Sequence, residues 1–442
     1  MHIMKLNLRL DDDLLALAKI FKEHSRTLYI VGGYVRNAIM GFCETDIDIC
    51  SNAKPEEVFL MLLNSPFSCK LVNRDLGTLH IYNKEGSIEY EHTTFRAEIY
   101  AQGGTHSPEN VQFVDDIKLD ASRRDFSANA LYYDILSQEV LDFYGGIQDV
   151  QNSILKTVET PDIVFSRDGL RILRMIRISS ELNFNIDKDT FVCAKNLVAQ
   201  LNDISQERFN KEIVAILFAD YKYQSVCNPD AVINGVKMLT DLGAWQFVLP
   251  RFYNELNDTQ KQQINNIEWK LLAVAPPALR IASFTLDLLQ SLNFTPTKQT
   301  ITNILGIYGV MLNKKECERQ FKIISAFLKV KNGLSTEKES RLFLQANFEI
   351  LNELFGLLKI ANIGQNLFKL YDLMLLDKVP FSLKELAITG QDLIEIYPEL
   401  PKIYYSDILN NLLKSCAIYP ELNTKDSLLF TVPDELMRVN TK

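Results

Sequence analysis

Leu28-Tyr29-Ile30-Val31-Gly32-Gly33-Tyr34-Val35-Arg36 sets the frame in which the rest of the chain is read. Four β-prone residues stop at paired glycines, and residues 34–40 then suit a helix, so a short strand turns directly into a helix. Paired glycines let the backbone come close to a ligand, and the start of a helix offers free N–H groups to a phosphate. Arg36 adds a cationic donor. Taken alone, the run fits a plain strand-to-helix turn equally well. Shortly after it, Asp46-Ile47-Asp48 falls at a second predicted strand, 47–50. Alternation along a strand puts both carboxylates on one face and Ile47 on the other. Neighbouring carboxylates repel unless a cation neutralises them, and Mg²⁺ is the natural one where a phosphate completes its octahedron.

Around this stretch the first 150 residues read as mixed α/β. Runs at 14–21 and 55–63 suit helices, and strand signals lie at 77–82, 87–93, 130–134 and 140–143. From about 151 onward the chain reads as almost wholly helical. Amphipathic stretches fall near 163–182, 189–200, 206–219, 278–291, 300–311, 316–330, 340–360, 364–376 and 405–415.

At 442 residues, two to four domains of about 100–200 residues are expected. A chain that is 47% hydrophobic and 23% charged, with 14 Pro and 18 Gly, is neither disordered nor collagen-like. No apolar run reaches the roughly 18 residues that span a bilayer. The first residues run into Asp11-Asp12-Asp13 without an apolar signal core, so export is not expected. Seven cysteines without a CxxC clip fit reduced thiols in a cytoplasm. The net charge of −9 falls wholly in residues 1–150, which carry 14 Lys and Arg against 23 Asp and Glu. An acidic domain suits divalent metals, whose charge the count omits. The balanced remainder leaves room for local basic stripes.

Arg123-Arg124-Asp125-Phe126-Ser127-Ala128-Asn129-Ala130-Leu131 is the most distinctive run. Two arginines can clamp a triphosphate, and Asp125 with Asn129 can hydrogen-bond a ribose. Further on, Arg167, Arg171, Arg174 and Arg177 are spaced by 4, 3 and 3, which is one face of a helix. Asp168 and Arg171 are adjacent on it. From the residues alone the pair reads equally as an intrahelical salt bridge.

The order Gly-Gly-x-Val-Arg then Asp-x-Asp resembles the nucleotidyltransferase superfamily that includes DNA polymerase β. The run 123–131 resembles the Arg-Arg-Asp-Phe-Thr-Ile-Asn-Ala-Leu motif of class II tRNA nucleotidyltransferases and bacterial poly(A) polymerases. Further segments resemble the same family: 91–96, its strand with a third carboxylate; 142–149, its head-to-neck connection; 167–171, its Glu-Asp-x-x-Arg motif; and 204–212, its Ser-x-Glu-Arg-x-x-x-Glu motif.

The resemblance implies an α+β chain: a polymerase-β-like head of mixed sheet and helices over 1–150, a helical neck over 151–219, and a helical body and tail over 220–442. It implies template-independent addition or repair of the 3′ C-C-A end of tRNA from CTP and ATP. Asp46 and Asp48 would hold Mg²⁺, with Glu91 taken as the third carboxylate although strand parity puts Glu89 on the same face. Gly32, Gly33, Arg36, Arg123 and Arg124 would bind the triphosphate, and Asp125 and Asn129 would sense the ribose. Asp168 and Arg171 would read the base: the acid accepts from an exocyclic amino group and the arginine donates to a ring nitrogen. Cytosine and adenine share that edge; uracil and guanine do not. Arg174 and Arg177 continue the nucleotide-binding face, and Glu207 and Arg208 would brace it.

Three departures from the family pattern stand out. Asn37 replaces the usual Asp after Val-Arg, Arg167 replaces Glu, and the 97–110 segment lacks the usual charges of the flexible loop it resembles. All five histidines precede residue 107. The stretch 280–287 resembles the segment that carries His-Asp in relatives with a metal phosphohydrolase domain, with Leu286 in the histidine position. A histidine-dependent metal site therefore cannot form there from the domain's own residues. Stretches 381–393 and 420–425 resemble family tail segments. Poly(A) polymerase, CC-only or A-only addition, and a non-catalytic RNA-binding homologue remain the rival readings.

Overall fold

A computed structural model of the chain describes residues 1–440 apart from Glu44, Lys84, Ser87, Ile88 and 100–109. Most of the loop-like 97–110 segment therefore lies outside the described residues. The described chain forms two compact units: residues 1–266 with 307–310, and residues 267–306 with 311–440.

The first unit is built on strands β1 (His2–Lys5), β2 (Tyr29–Val31), β3 (Asp48–Ser51), β4 (Phe67–Asn73), β5 (Thr78–Asn83) and β6 (Glu89–Thr94). They continue with β7 (Arg96–Ile99), β8 (Asn110–Phe113), β9 (Leu131–Asp134) and β10 (Glu139–Asp142). Eight of these make one sheet in the order β1-β10-β9-β2-β3-β6-β5-β4, while β7 and β8 pair separately. Only β3 and β6 run parallel; the other neighbours in the sheet are antiparallel.

Period-2 alternation gives the sheet two different faces. One rung runs Val140–Tyr133–Ile30–Ile49–His92–Leu79 through the registered pairs, and all six residues are buried. Helix α1 (Asp12–Glu23) covers this face: Leu14, Leu17 and Phe21 are buried, and the Phe21 ring lies 5.7 Å from that of His92. The next rung, on the opposite face, runs Tyr132–Val31–Asp48–Glu91–His80–Lys70. Tyr132 and Val31 of this rung are buried, and from Asp48 onward it is a row of titratable groups one register step from the apolar core.

Helices α2 (Gly33–Ile39), α3 (Pro55–Leu62), α4 (Ile117–Ser122) and α5 (Gly146–Gln151) complete this part. Four strands were not foreseen: β1, β7 and β8 are only four residues each, too short for a period of two to stand out, and β4 carries an exposed Val72 that blurs its alternation. Past 151 the expected helices appear, except that the stretch 340–360 is two, Glu337–Ala346 and Leu351–Ile360, and a short parallel pair, Ile154–Leu155 beside Asn185–Ile186, is set among them.

The long helix expected over 163–182 is two: α6 (Pro161–Arg167) and α7 (Leu170–Leu182). Asp168 sits in extended conformation between them, and its side chain accepts from the Leu170 N–H, so it caps the second helix rather than continuing the first. After α8 (Lys188–Asn196), α9 (Gln206–Leu217) and α10 (Ala231–Asp241) pack on α7.

The second unit is all helical, its longest members being Pro277–Ser291, Lys314–Asn332, Tyr405–Ile418 and Lys425–Asn440. One of its cores gathers Ile388, Leu393, Ile408, Leu412 and Leu428. Asp287, the aspartate of the His-Asp-like stretch, is buried and accepts from the N–H groups of Leu271 (3.1 Å) and Leu272 (2.9 Å), while Leu286 is wholly buried. Burial pushes the Asp287 carboxyl up to about 6, against the pull of those two N–H groups. No described helix is long and apolar enough to cross a membrane.

Candidate functional site: a carboxylate row facing buried arginines

The turn between β2 and α2 fixes one side of the site. Gly32 has φ +79° and ψ −133°, a conformation that side chains resist, and its N–H donates to the Leu131 carbonyl at 3.3 Å. One turn into α2, Arg36 is buried. It donates to Asn37 Oδ1 through Nε (3.0 Å) and Nη2 (2.8 Å), to Asn129 Oδ1 (2.6 Å) and to the Tyr223 hydroxyl (3.1 Å). Tyr223 lies far downstream and has no motif around it, so only the fold reveals it.

Asp48 opens β3, flanked in register by Val31 and Glu91. Registered residues on adjacent strands share a face, so the Asp48 and Glu91 carboxylates stand side by side. Glu89 is opposite Tyr82 instead, two positions along. Asp48 is open to solvent, yet the protein crowding its carboxyl, with Glu91 and Asp46 adding charge, pushes it up to about 6; Arg124 opposes the shift. Asp46 precedes the strand and is exposed. His80, next in the row, pairs with Glu89 and lies 3.8 Å from Glu91.

Among the described residues no three His, Cys, Asp or Glu side chains converge as a preformed metal cluster. The donor set nevertheless suits a hard divalent cation: oxygen ligands only, with the Asp48 carboxyl held against ionisation first by the protein crowding it and then by its like-charged neighbours.

Of the arginine pair, Arg124 lies near enough to this row to oppose the Asp48 shift. Arg123 Nε donates to Asp120 Oδ1 at 2.8 Å. Arg124 donates to the Tyr132 hydroxyl at 2.9 Å, reaches Asp120 Oδ2 at 3.4 Å, and lies 5.1 Å over the Tyr132 ring. Burial alone would raise Asp120, but the two guanidiniums hold it down at about 2. Asp120 was missed, although its spacing of three and four residues before the arginines is the helical ion-pair signature.

Asp125 and Asn129 tie the 123–131 run to α7. Asn129 donates to Asp125 Oδ1 (3.2 Å), and Arg174 grips Asp125 Oδ2 at 2.8 and 2.7 Å. Burial would raise Asp125, but Arg174 and Arg171 hold it well below the usual carboxylate range. Arg177 pairs with Glu212 (2.6 Å) and Glu181 (3.0 Å). Arg171 donates to the carbonyls of Arg123 (2.6 Å) and Val164 (3.3 Å). Asp168 is held by Arg208 at 2.6 Å, while Glu207 pairs with Lys211 at the surface, so the bracing falls to Arg208 and Glu212. Arg167 ends α6, off the face of the other three arginines, and pairs with Glu159 at 2.6 Å, which offsets its unexpected charge.

The Gly145-Gly146 turn is more than a hairpin loop. Asp142 accepts from the N–H groups of Tyr144, Gly145, Gly146 and Ile147, and a side chain at Gly146 would meet the Ser127 carbonyl at 2.2 Å. The turn therefore packs directly on the 123–131 run.

Residues 28–156 match the family model described as the poly A polymerase head domain. The chain is 28% identical to a CCA-adding enzyme of Staphylococcus haemolyticus over 419 residues, covering 94% of this chain and 96% of that one. It is 30% identical to a CCA-adding enzyme of Streptococcus sanguinis over 297 residues, covering 65% of this chain and 70% of the relative. Its fold is similar to that of the Bacillus stearothermophilus CCA-adding enzyme in complex with CTP, with a TM-score of 0.70 at 21% identity, covering 97% and 98% of the two chains. It is also similar to the Thermotoga maritima CCA-adding enzyme complexed with tRNA, with a TM-score of 0.63 at 18% identity, covering 98% and 99%.

Proposed function

Because the chain belongs to the CCA-adding enzyme family of nucleotidyltransferases, we propose that it adds or repairs the 3′ C-C-A end of tRNA from CTP and ATP, without a nucleic-acid template, in the cytoplasm. The observation that carries the reading is the row Asp48–Glu91 on the open face of the sheet, set between the Gly32-Gly33 turn and Arg124. Residues 1–150 serve as the catalytic head, 151–219 as the neck that reads the base, and the helices of 220–442 hold the RNA by its backbone shape.

Asp46 and Asp48, with Glu91, would hold Mg²⁺, which when bound supplies the positive charge that activates the primer 3′-hydroxyl and steadies pyrophosphate. The chain's own part is positioning. The Gly32-Gly33 backbone and Arg36, Arg123 and Arg124 set the triphosphate along the row. Asp120 fixes the Arg123 and Arg124 guanidiniums so that little reorganisation accompanies binding. The Asn129–Asp125–Arg174 link sets the ribose side of the head against α7. Asp168 and Arg171 offer an acceptor and a donor to the base, each already oriented, the first by Arg208 and the second by two carbonyls.

The test is incubation with tRNA ending before CCA, in the presence of CTP, ATP or both. Full addition is expected only with both nucleotides. Runs of A on any RNA would favour a poly(A) polymerase, stopping after CC or A would define a partial enzyme, and no incorporation would leave a non-catalytic RNA binder.

A further inference from the structure

Arg36 is a buried cation whose hydrogen-bond partners are all neutral. It is 4% exposed, and its donors end on Asn37, Asn129 and Tyr223, with the Tyr223 ring 5.9 Å beneath. Its neighbours are treated differently: Arg123, Arg124, Arg174 and Arg177 each face a carboxylate. Among the described residues Arg36 has no such ion pair, and Glu181 reaches it only through space.

The adjacent Asn37 is the reason. It is wholly buried, spends its one carbonyl oxygen on two bonds from Arg36, and leaves its own Nδ2 with no acceptor. A carboxylate in that position would meet Nε and Nη2 where they already aim, and would remove the orphaned donor. The asparagine instead leaves a full positive charge beside the glycine turn. Arg36 Nη2 lies 3.4 Å from where a Gly33 side chain would begin, and Arg124 Nη1 lies 3.8 Å from the same point at Gly32.

We propose that Asn37 is a positioning residue that withholds a counter-ion from Arg36, so that the phosphates of the incoming nucleotide supply it. The proposal rests on the nucleotide-binding reading above and extends it to a residue that does not itself touch the ligand. In a partly buried site a unit charge a few ångströms away changes anion affinity by about tenfold or more.

The experiment compares wild type with Asn37→Asp, titrating pyrophosphate without added metal, then CTP, and following neutral cytidine by ligand-observed NMR. Asn37→Asp is expected to bind pyrophosphate and CTP at least tenfold more weakly, to bind cytidine unchanged, and to melt at a higher temperature without ligand. Equal pyrophosphate affinity in the two proteins overturns the proposal, as does an equal loss of cytidine, which would mark a shape effect rather than a charge effect. Should Asn37→Asp fail to fold, Arg36→Gln carries the same expectation for pyrophosphate, and unchanged affinity there overturns it equally. If wild type binds neither pyrophosphate nor CTP, the nucleotide-binding reading itself fails and takes this proposal with it.

Discussion

The role proposed for Asp48 depends on a neighbour 43 positions away in the chain, Glu91, which the sheet sets beside it. Asp46→Ala and Asp48→Ala are expected to cut nucleotide incorporation below about one hundredth of wild type while tRNA binding and the melting curve stay nearly unchanged. Near-normal incorporation by either variant would remove the carboxylates from the metal-binding role. Asp168 and Arg171, proposed to read the base, have a sharper signature. A hydrogen bond to a charged group is worth about 1.5–3 kcal/mol, or roughly 10- to 150-fold. Asp168→Asn offers a donor where the acid accepted, so discrimination of CTP over UTP should fall by a factor in that range. Arg171→Ala should weaken CTP and ATP together. If kcat/KM drops in both variants while the CTP:UTP ratio holds, the pair acts only through Arg208 and the two carbonyls, and another group reads the base.

At the level of elements, Asn129–Asp125–Arg174 fastens α7 to the 123–131 run, and Arg177–Glu212 fastens α9 to α7. Removing the Asp125 charge leaves Arg174 without its partner, and because the Arg174 side chain is 35% exposed the cost falls below the roughly 3–5 kcal/mol of a fully buried pair. Asp125→Asn is therefore expected to lower the urea midpoint markedly, and a midpoint within error of wild type would show that this link carries no stability.

The sheet core has its own pH sensitivity. His92 is wholly buried on the α1 face, beside Phe21 and hydrogen-bonded to Ser51, and burial pushes its imidazole down to about 3. The unfolded chain binds that proton near pH 6.5, so stability is full above 6.5 and is lost as pH falls toward 3. His92→Gln should flatten this acid limb in chemical denaturation followed at several pH values. A limb of unchanged slope would assign the acid lability elsewhere.

On the scale of the whole molecule, a chain of net charge −9 is proposed to bind a polyanion. All of that excess sits in the first 150 residues, where divalent cations would offset it, so the balanced remainder is free to contact phosphates. Affinity for tRNA is expected to fall steeply with salt and to vary little among tRNA sequences, because backbone contacts dominate it. A flat salt dependence in filter binding would contradict this. The second unit has turned its His-Asp-like aspartate to structural use. Asp287 braces the backbone at Leu271–Leu272, and Leu286 fills the core. The full chain with added metal is expected to release no phosphate from cyclic nucleotides, and metal-dependent release would revive the hydrolase reading.

The sequence by itself determined the strand–Gly-Gly–helix opening, the helical remainder and the identity of most charged groups at the site. Each of these is a local matter: a glycine pair stops a strand, a period of 3.6 makes a helix, and a motif lies within a few residues. Tertiary structure alone decided which charges meet. The register of parallel β3 and β6 set Glu91, not Glu89, opposite Asp48. Packing brought Tyr223 to Arg36 across 187 positions and Arg208 to Asp168 across 40. Arg167 and Arg171 seemed to share one helical face until Asp168 capped a new helix between them. Side-chain spacing reports neighbours only along an unbroken element. Burial and ion pairing are settled between elements, where sequence distance carries no weight and the low dielectric makes each partner count.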